Sequence, residues 1–119
     1  MSWIQSAQAD LLARYLDLAA KRQSLITSNI ANVDTPGYRT KDIDFQGELA
    51  RAIQGDTAPT EPFVHEVPGL VTRPDGNNVS VDRESLLLSE VQLQFGIAEQ
   101  LLKSQFRNLQ MAISEGSSS

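Results

Sequence analysis

Apolar residues recur at helical spacing in two terminal blocks, residues 1–33 and 82–114, and the segment between them breaks the pattern. In each block the apolar positions alternate between steps of three and four residues, the heptad spacing of a helix that pairs with another helix. All five prolines lie between the blocks. The pattern therefore predicts a mainly α protein whose long N- and C-terminal helices form an antiparallel coiled coil.

The two heptad rows, which we call the seams, each contain a single glutamine. The first seam consists of Leu12, Leu16, Ala19, Gln23, Ile26, Ile30 and Val33. The second consists of Leu88, Val91, Phe95, Ala98, Leu102, Gln105, Leu109 and Ala112. If the helices run in opposite directions, setting Gln23 opposite Gln105 lets two buried amides satisfy each other. We expect this register.

A second apolar row runs beside the first seam. It contains Leu11, Tyr15, Leu18 and Leu25 and is interrupted by Arg22. Two adjacent rows are wider than the stripe that one partner helix covers. The alternative, an ordinary core helix in a monomer, needs a core that the rest of the chain, with its proline-rich middle, is not expected to supply. We therefore expect neighbouring copies to cover this row, so that the helices become ordered on assembly.

The first helix is expected to stop abruptly. Pro36 disfavours helical geometry at Thr35, and Gly37 permits the positive φ that a turn requires. Asn29 and Asn32 are three residues apart, so both carboxamides fall on one face near the last helical turn. There they can bond the free carbonyls of the helix end or the departing loop.

The middle segment, 34–81, is predicted to be irregular, with a short helix and a small β-hairpin. Asp44 is suited to cap a helix that runs to about residue 54, and Phe45 and Leu49 lie on its apolar face. Residues 56–69 are typical of a flexible connector. Residues 70–72 and 79–81 flank an Asp75-Gly76 turn and fit a hairpin. Asp82 is the expected cap of the C-terminal helix, and residues 115–119 form a disordered tail.

Composition narrows the range of functions. With 119 residues the chain is one domain at most, and its net charge of −5 comes from residues 56–119, which carry four basic and nine acidic side chains. No basic patch is present to hold nucleic acid. The absence of cysteine excludes disulfides and thiolate metal sites. We find no cleaved signal sequence and no apolar run long enough to cross a membrane.

No catalytic, cofactor or metal site is expected. Asp42, Asp44 and Glu48 place three carboxylates within seven residues, but they lack the glycine and ligand spacing of a calcium loop. His65 is the single histidine and lies among prolines without an acid partner nearby in sequence. Nucleophile-elbow and phosphate-loop patterns are absent. We therefore do not expect an enzyme.

The run SNIANVDTPGY at residues 28–38 resembles the signature of the bacterial flagellar rod and hook protein family. Its characteristic residues here are Asn29, Ile30, Asn32, Thr35, Pro36, Gly37 and Tyr38. The run KDIDF at 41–45 and the run GNNV at 76–79 that leads to Asp82 are similar to those of the short proximal rod members. No residues are inserted between Asn32 and Tyr38, which favours one of the two short proximal types over its sibling.

The resemblance implies a structural, self-assembling subunit of the basal-body rod, which transmits torque. It also implies export through the flagellar type III apparatus without a cleaved signal, and a place on the periplasmic side of the inner membrane. Implied partners are copies of the chain, other rod proteins, and the membrane-ring and rod-adaptor proteins. Phe45 and Leu49 fit the family's export-gate motif, and core packing explains them equally well. A soluble helical adaptor or export chaperone that binds a partner helix is the alternative function.

Overall fold

The structure is a computed structural model that describes residues 2–55 and 61–117, with side chains from residue 7 to residue 116. The mainly helical chain contains, in order, α1 (Ser2–Ala31), β1 (Lys41–Ile43), α2 (Phe45–Ile53), β2 (Val64–Glu66) and α3 (Val81–Ser117). The two long helices pack along each other and give an elongated molecule of 72 × 25 × 17 Å.

Two side-chain contacts define how α1 lies against α3. Near the end of α1, Asn29 donates to Glu84 in the first turn of α3 (Nδ2 to Oε2, 3.2 Å). Near the start of α1, Gln8 accepts from Gln105 (Nε2 to Oε1, 2.8 Å). Asn29 lies 21 residues after Gln8, and Glu84 lies 21 residues before Gln105, so both contacts belong to one register. The expected pairing of Gln105 with Gln23 is wrong by 15 residues along α1, about two heptads.

The first helix ends two residues earlier than expected. Its last residue is Ala31, and the amide of Val33 turns back to the carbonyl of Ile30 (3.2 Å) in a tighter final turn. The Asn32 side chain donates to the carbonyl of Ser28 (2.8 Å). The same carbonyl also accepts from the backbone amide of Asn32 (3.1 Å), so Asn32 bonds it through both its main chain and its side chain at the end of the helix.

The short helix and its cap are confirmed. Asp44 precedes α2, and its Oδ1 accepts from the amide of Gly47 (3.2 Å). The helix ends at Ile53, with Gln54 as the C-cap, and Gly55 follows with a φ of +83°. Phe45 is buried on the face that meets α1.

One chain builds its own core, contrary to the expectation from its proline-rich middle. The central cluster of buried apolar side chains comes from α1, β1, α2 and α3 and consists of Leu18, Ala19, Ile26, Ile43, Phe45 and Val91. Each large one contributes about 1.5–3 kcal/mol by burial. The second row of α1 is covered in part by the chain's own α2, because Phe45 packs edge-on against Tyr15 (ring centroids 5.1 Å apart), whereas Leu11 at the start of the row is exposed. Burial raises the pKa of the Tyr15 phenol.

The β-structure forms elsewhere than predicted. β1 pairs antiparallel with β2, with Asp42 opposite His65, so that part of the predicted connector 56–69 is a strand. Residues 70–72 and 79–81 do not form a hairpin. Instead, the amide of Gly37 donates to Asp75 (2.9 Å) and that of Asn78 to Tyr38 (3.3 Å). The turn closes on itself through Arg73, whose amide donates to the carbonyl of Asn77 (2.8 Å), and its backbone also pairs with the loop after α1.

The C-terminal helix is longer at both ends than predicted. It begins at Val81, and the Ser80 hydroxyl rather than Asp82 caps it by accepting from the amide of Arg83 (3.2 Å). Asp82 and Glu84 lie in its first turn, where negatively charged carboxylates interact favourably with the positive end of the helix dipole. The helix continues to Ser117, so residues 115–117 of the expected disordered tail are helical, and residues 118–119 lie outside the described residues.

Candidate functional site

A cluster of buried polar side chains joins the end of α1, the loop that follows, β1 and the start of α3. We call this cluster the junction. Its buried polar residues are Asn29, Thr40, Asp42, Asn77, Asn78 and Glu84. Because burying polar groups is unfavourable unless they are paired, such a cluster requires a nearly complete set of hydrogen bonds.

Asn29 lies at the centre of the junction and uses every hydrogen bond that its amide can make. Nδ2 donates to the carbonyl of Lys41 (2.9 Å) and to Glu84 (3.2 Å). Oδ1 accepts from the hydroxyl of Tyr38 (2.9 Å) and the amide of Lys41 (3.1 Å). With two donors and two acceptor sites filled, this side chain joins α1 to β1 and to α3.

Asn77 performs a similar function for the loop that leaves α1. Its side chain is fully buried, and Nδ2 donates to the carbonyls of Asn32 and Thr35 (both 2.9 Å). Its Oδ1 accepts from the amide of Val79 (2.8 Å). The turn before α3 therefore holds the turn after α1 through one carboxamide.

Asn78 and Thr40 also connect the turn before α3 to the loop after α1, at the end of that loop nearest β1. Oδ1 of Asn78 accepts from the amide (2.7 Å) and the hydroxyl (2.9 Å) of Thr40. Both side chains are buried. Consecutive asparagines, Asn77 and Asn78, thus bond to opposite ends of the 32–40 loop.

Four charges alternate in sign across the junction. Arg22 of α1 binds Asp42 with two parallel hydrogen bonds (Nε to Oδ1 and Nη2 to Oδ2, both 3.1 Å). Arg83 of α3 lies beside the same carboxylate (3.3 Å) and also contacts Glu84 (2.7 Å). Since Asp42 and Glu84 are both buried, each carboxylate needs its guanidinium partner, and removing one partner would leave an uncompensated charge.

Two glycines allow the loops to approach closely. Gly37 and Gly76 have φ values of +77° and +88°. A Cβ added to Gly76 would lie 3.3 Å from the Cα of Gly37. The left-handed conformation and the close approach both favour glycine at position 76.

The signature residues at 29–38 mostly face this junction. Ile30 packs against the core, Thr35 donates to Oδ1 of Asn32 (3.0 Å), and Pro36 is exposed. Asn29 bonds the departing loop and Asn32 a helix carbonyl, the two kinds of partner considered from the sequence. The signature thus coincides with the place where α1 is tied to the rest of the chain.

Fourteen of the fifteen seam residues proposed from the sequence are buried or half-buried, and the remaining one, Ala112, is exposed. Ala19, Ile26, Val91 and Ala98 are the buried ones. The half-buried ones are Leu12, Leu16, Gln23, Ile30, Val33, Leu88, Phe95, Leu102, Gln105 and Leu109. Both seams therefore lie on the inner faces of the two helices.

The carboxylates considered as a metal site have separate partners. Asp42 binds Arg22, Asp44 caps α2, and Glu48 pairs with Arg51 and accepts from the amide of Phe63 (3.2 Å). Within the described ranges, no three potential ligands come together as a metal site would require. His65 lies in β2 with Nδ1 near the carbonyl of Glu66 (3.0 Å).

Sequence reasoning missed Thr40, Asn77, Asn78 and Glu84 as members of the junction. Arg22 offered one signal, because a charged residue that interrupts an apolar row needs a buried partner. The pair of asparagines beside Gly76 offered another, but a turn explains such residues equally well.

An uncovered apolar row lies on α3, facing away from the core. Its members fall on one face of the helix, and each is at least half exposed. We call it the α3 row: Leu86, Leu93, Ile97, Leu101 and Met111. Leu93 is 66% exposed and Ile97 53%, in the middle of a helix whose opposite face contributes to the core. Contiguous exposed apolar surface is typical of a protein contact site.

No helix in the part of the chain that the structure describes is long and apolar enough to span a membrane. The structure is thus that of an elongated helical protein with a tightly hydrogen-bonded junction and an exposed apolar row on α3.

Comparison with known proteins connects this architecture to a family. Residues 16–39, which include the end of α1 and the turn after it, match the family described as "Flagella basal body rod protein". The flagellar basal body rod protein FlgB of Escherichia coli (strain K12) is 30% identical to this chain, over 85% of the chain and 88% of the relative. FlgB of Borrelia hermsii is 31% identical (87% and 93%), and FlgB of Cereibacter sphaeroides is 35% identical (89% and 93%). These matches confirm the resemblance carried by residues 28–38, and the chain belongs to the FlgB family of flagellar basal body rod proteins.

Proposed function

We propose that this chain is a structural subunit of the proximal rod of the flagellar basal body, and that it assembles with copies of itself and other rod proteins into the torque-transmitting shaft. The observation that carries the proposal is the α3 row, which a single folded chain leaves uncovered. A stiff tube needs lateral contacts between subunits, and an apolar helix face supplies them.

Within that role, α1 and α3 act as one antiparallel coiled coil. The contacts of Asn29 with Glu84 and of Gln8 with Gln105 support this arrangement because they lie at opposite ends of the pair in one register. The seam residues supply its interface, and the junction fixes its register. Bending such a pair within a packed tube must shear many close contacts at once, which gives the rod stiffness.

The site in the cell and the route to it are part of the same proposal. The rod lies on the periplasmic side of the inner membrane, so the chain is exported by the flagellar type III apparatus without a cleaved signal, and it meets the membrane-ring and rod-adaptor proteins there. Phe45 and Leu49 are the proposed export-gate motif. Phe45 is buried and Leu49 packs against the core, so the apparatus reads these side chains only in an unfolded chain.

The test replaces two members of the α3 row in a bacterium whose own copy of the gene has been deleted. Leu93→Asp together with Ile97→Asp places two carboxylates on the exposed apolar face and leaves the core of the single chain intact. We expect normal expression and helix content, no incorporation into rods and no motility. Ser85→Asp, on an exposed α3 residue outside the row, is the matched control and should restore motility.

Motile cells carrying the double variant would refute the proposed use of the α3 row in assembly. Loss of motility with both the double variant and the control would show that added charge on α3 is harmful wherever it lies. Motility lost with the double variant alone, together with a helix content equal to that of the control, supports the proposal.

A further inference from the structure

The turn before α3 contains the chain's single Asp-Gly pair, Asp75-Gly76. In such a pair the amide nitrogen of the glycine can attack the side-chain carboxyl group of the aspartate, because glycine has no Cβ to obstruct the approach. Every other aspartate is followed by a residue with a larger side chain. The Asp75 side chain is also exposed, so water reaches its carboxyl group. Among the aspartates, Asp75 is therefore the one at which the backbone most readily rearranges.

The folded turn holds both reacting groups away from this reaction. The Gly76 amide donates to the carbonyl of Arg73 (2.9 Å), and Oδ1 of Asp75 accepts from the amide of Asn77 (3.0 Å). Formation of a ring requires the Gly76 nitrogen to lose its proton, and with it the bond to Arg73. It also requires the carboxyl group to turn away from Asn77. Both hydrogen bonds must therefore break before the two groups can react.

Further contacts fix the backbone on either side of the pair. The carbonyl of Asp75 accepts from the amide of Gly37 (2.9 Å), and a Cβ added to Gly76 would lie 3.3 Å from the Cα of Gly37. The next residue, Asn77, is fully buried and donates to two carbonyls of the loop after α1. Because the turn is held from both sides, the reaction needs at least local unfolding of the junction.

The rearrangement needs no co-reactant except water. The Gly76 nitrogen forms a bond to Cγ of the protonated Asp75 carboxyl group, a C–O bond of that group breaks, and the hydroxyl leaves with the amide proton as water. The product is a succinimide ring. Water then opens the ring either at Cγ, which restores aspartate, or at the former backbone carbonyl carbon, which gives isoaspartate. In isoaspartate the main chain runs through Cβ and Cγ and is longer by a single atom.

We propose that Asp75-Gly76 is a site of isoaspartate formation that is coupled to the junction in both directions. The folded junction suppresses the rearrangement, and the rearranged chain cannot close the junction. Isoaspartate converts the carbonyl that meets Gly37 into a free carboxylate, and the additional main-chain atom displaces Asn77 from its buried position. Two carbonyls of the loop after α1 then lose their partner. This inference goes beyond the rod role and does not depend on it.

The test measures isoaspartate at position 75 in the full chain after incubation near neutral pH, in buffer and in concentrated urea. Mass spectrometry of proteolytic peptides, with chromatography to separate the aspartyl and isoaspartyl forms, gives the rate. A synthetic peptide of residues 71–79 supplies the rate for an unrestrained turn. We expect the chain in urea to react as fast as the peptide, and the chain in buffer to react at least about tenfold more slowly because the reaction waits for local unfolding.

Two variants serve as controls. Asp75→Glu would have to form a larger and less favourable ring, so it should show no rearrangement in either solvent. Asn29→Asp weakens the junction but bonds to no residue of the turn, and it should accelerate the reaction in buffer. Asn108→Asp, on the exposed side of α3, should leave the rate unchanged.

The consequence for the junction is measured on the isoaspartate form itself, after separation by chromatography. It should unfold at a lower urea concentration than the unmodified chain. Equal rates in buffer and in urea would overturn the protection by the junction, and an isoaspartate form of unchanged stability would overturn the effect on it. Absence of isoaspartate from both the peptide and the chain in urea would overturn the site. None of these results bears on incorporation into rods, which the motility test measures separately.

Discussion

Replacing Asn29 by Asp tests whether the junction holds α1 and α3 together. The change keeps the size and shape of the side chain but converts its donor into a second acceptor. The carbonyl of Lys41 (2.9 Å) and Oε2 of Glu84 (3.2 Å) would then face a carboxylate oxygen instead of an N–H group. The two bonds accepted by Oδ1, from Tyr38 and from the Lys41 amide, can remain.

The expected loss is large because residue 29 is only 1% exposed. One lost bond is to a neutral carbonyl and is worth about 0.5–1.5 kcal/mol, and the other is to a carboxylate and is worth about 1.5–3 kcal/mol. Repulsion between the new carboxylate and Glu84 adds to this. We expect Asn29→Asp to lower the free energy of unfolding by about 3–5 kcal/mol, a large part of the stability of a typical domain.

Urea unfolding followed by far-ultraviolet circular dichroism measures this loss. Asn108→Asp, an exposed position on α3, makes the same chemical change without a buried partner and should shift the free energy of unfolding by less than about 0.5 kcal/mol. Burial and the neighbouring Glu84 raise the pKa of the introduced carboxyl group in the folded state. Its stability deficit is therefore full above that raised pKa and shrinks as the pH falls toward the unfolded value of about 3.9.

If Asn29→Asp lowers the free energy of unfolding no more than Asn108→Asp does, the reasoning is refuted. A buried hydrogen-bond donor would then have been replaced by a charged group at no cost in stability. A deficit that stays constant across the acid range would refute the electrostatic part alone and would assign the loss to the missing hydrogen bonds.

Two further changes probe other contacts in the junction. Arg22→Met leaves the buried carboxylate of Asp42 with Arg83 as its remaining cation and should cost about 2–4 kcal/mol in urea unfolding. Adding Asp42→Leu should recover more than half of that loss, because the buried carboxylate that lost its partner is then removed as well. Gly76→Ala should lower the free energy of unfolding by about 1–3 kcal/mol in a thermal or urea melt, because φ at this position is +88° and the new Cβ would press on the Cα of Gly37. Gly96→Ala is the contrasting change: it lies in a helix interior with open space around it and should raise the free energy of unfolding by about 0.5–1 kcal/mol.

Local signals account for what could be predicted from the sequence. The stop at Pro36 and Gly37 and the cap at Asp44 each depend on residues within a few positions of one another, and the structure has both features. Heptad spacing likewise identified which face of each long helix points inward. All of these depend on backbone sterics or helical periodicity, which act over short stretches of chain.

The register of α1 against α3 depends on contacts that local signals do not contain. Asn29 meets Glu84 across 55 residues, and Asn77 meets the carbonyl of Asn32 across 45. Pairing the two seam glutamines was a reasonable rule for an isolated coiled coil. It failed here because the junction contacts belong to a different register, in which Gln105 meets Gln8 rather than Gln23.

The core was missed for a related reason. Prolines and glycines made the middle segment look too irregular to cover α1. In the structure the irregular loops instead position two short elements, and Phe45 of α2 and Ile43 of β1 both enter the core. Arg22 was read as a gap in an apolar row, yet it binds Asp42, the residue just before Ile43. A charged residue in such a row was therefore evidence for a covering segment that carries the opposite charge.

A polar junction gives this helix pair something that an apolar seam cannot. A heptad seam looks nearly the same after a slip of seven residues, because apolar side chains accept many neighbours. Asn29 can bond Lys41 and Glu84 at a single register. A slip would separate Glu84 from Asn29, and it would separate Asp42 from either Arg22 of α1 or Arg83 of α3. Copies that assemble side by side must present identical surfaces, since any slip within one copy displaces the α3 row relative to its neighbours. The buried charges lie at the end of the helix pair where α1 turns into the following loop. They fix the position of the α3 row on every copy, and the row itself stays apolar and can pack against a neighbour.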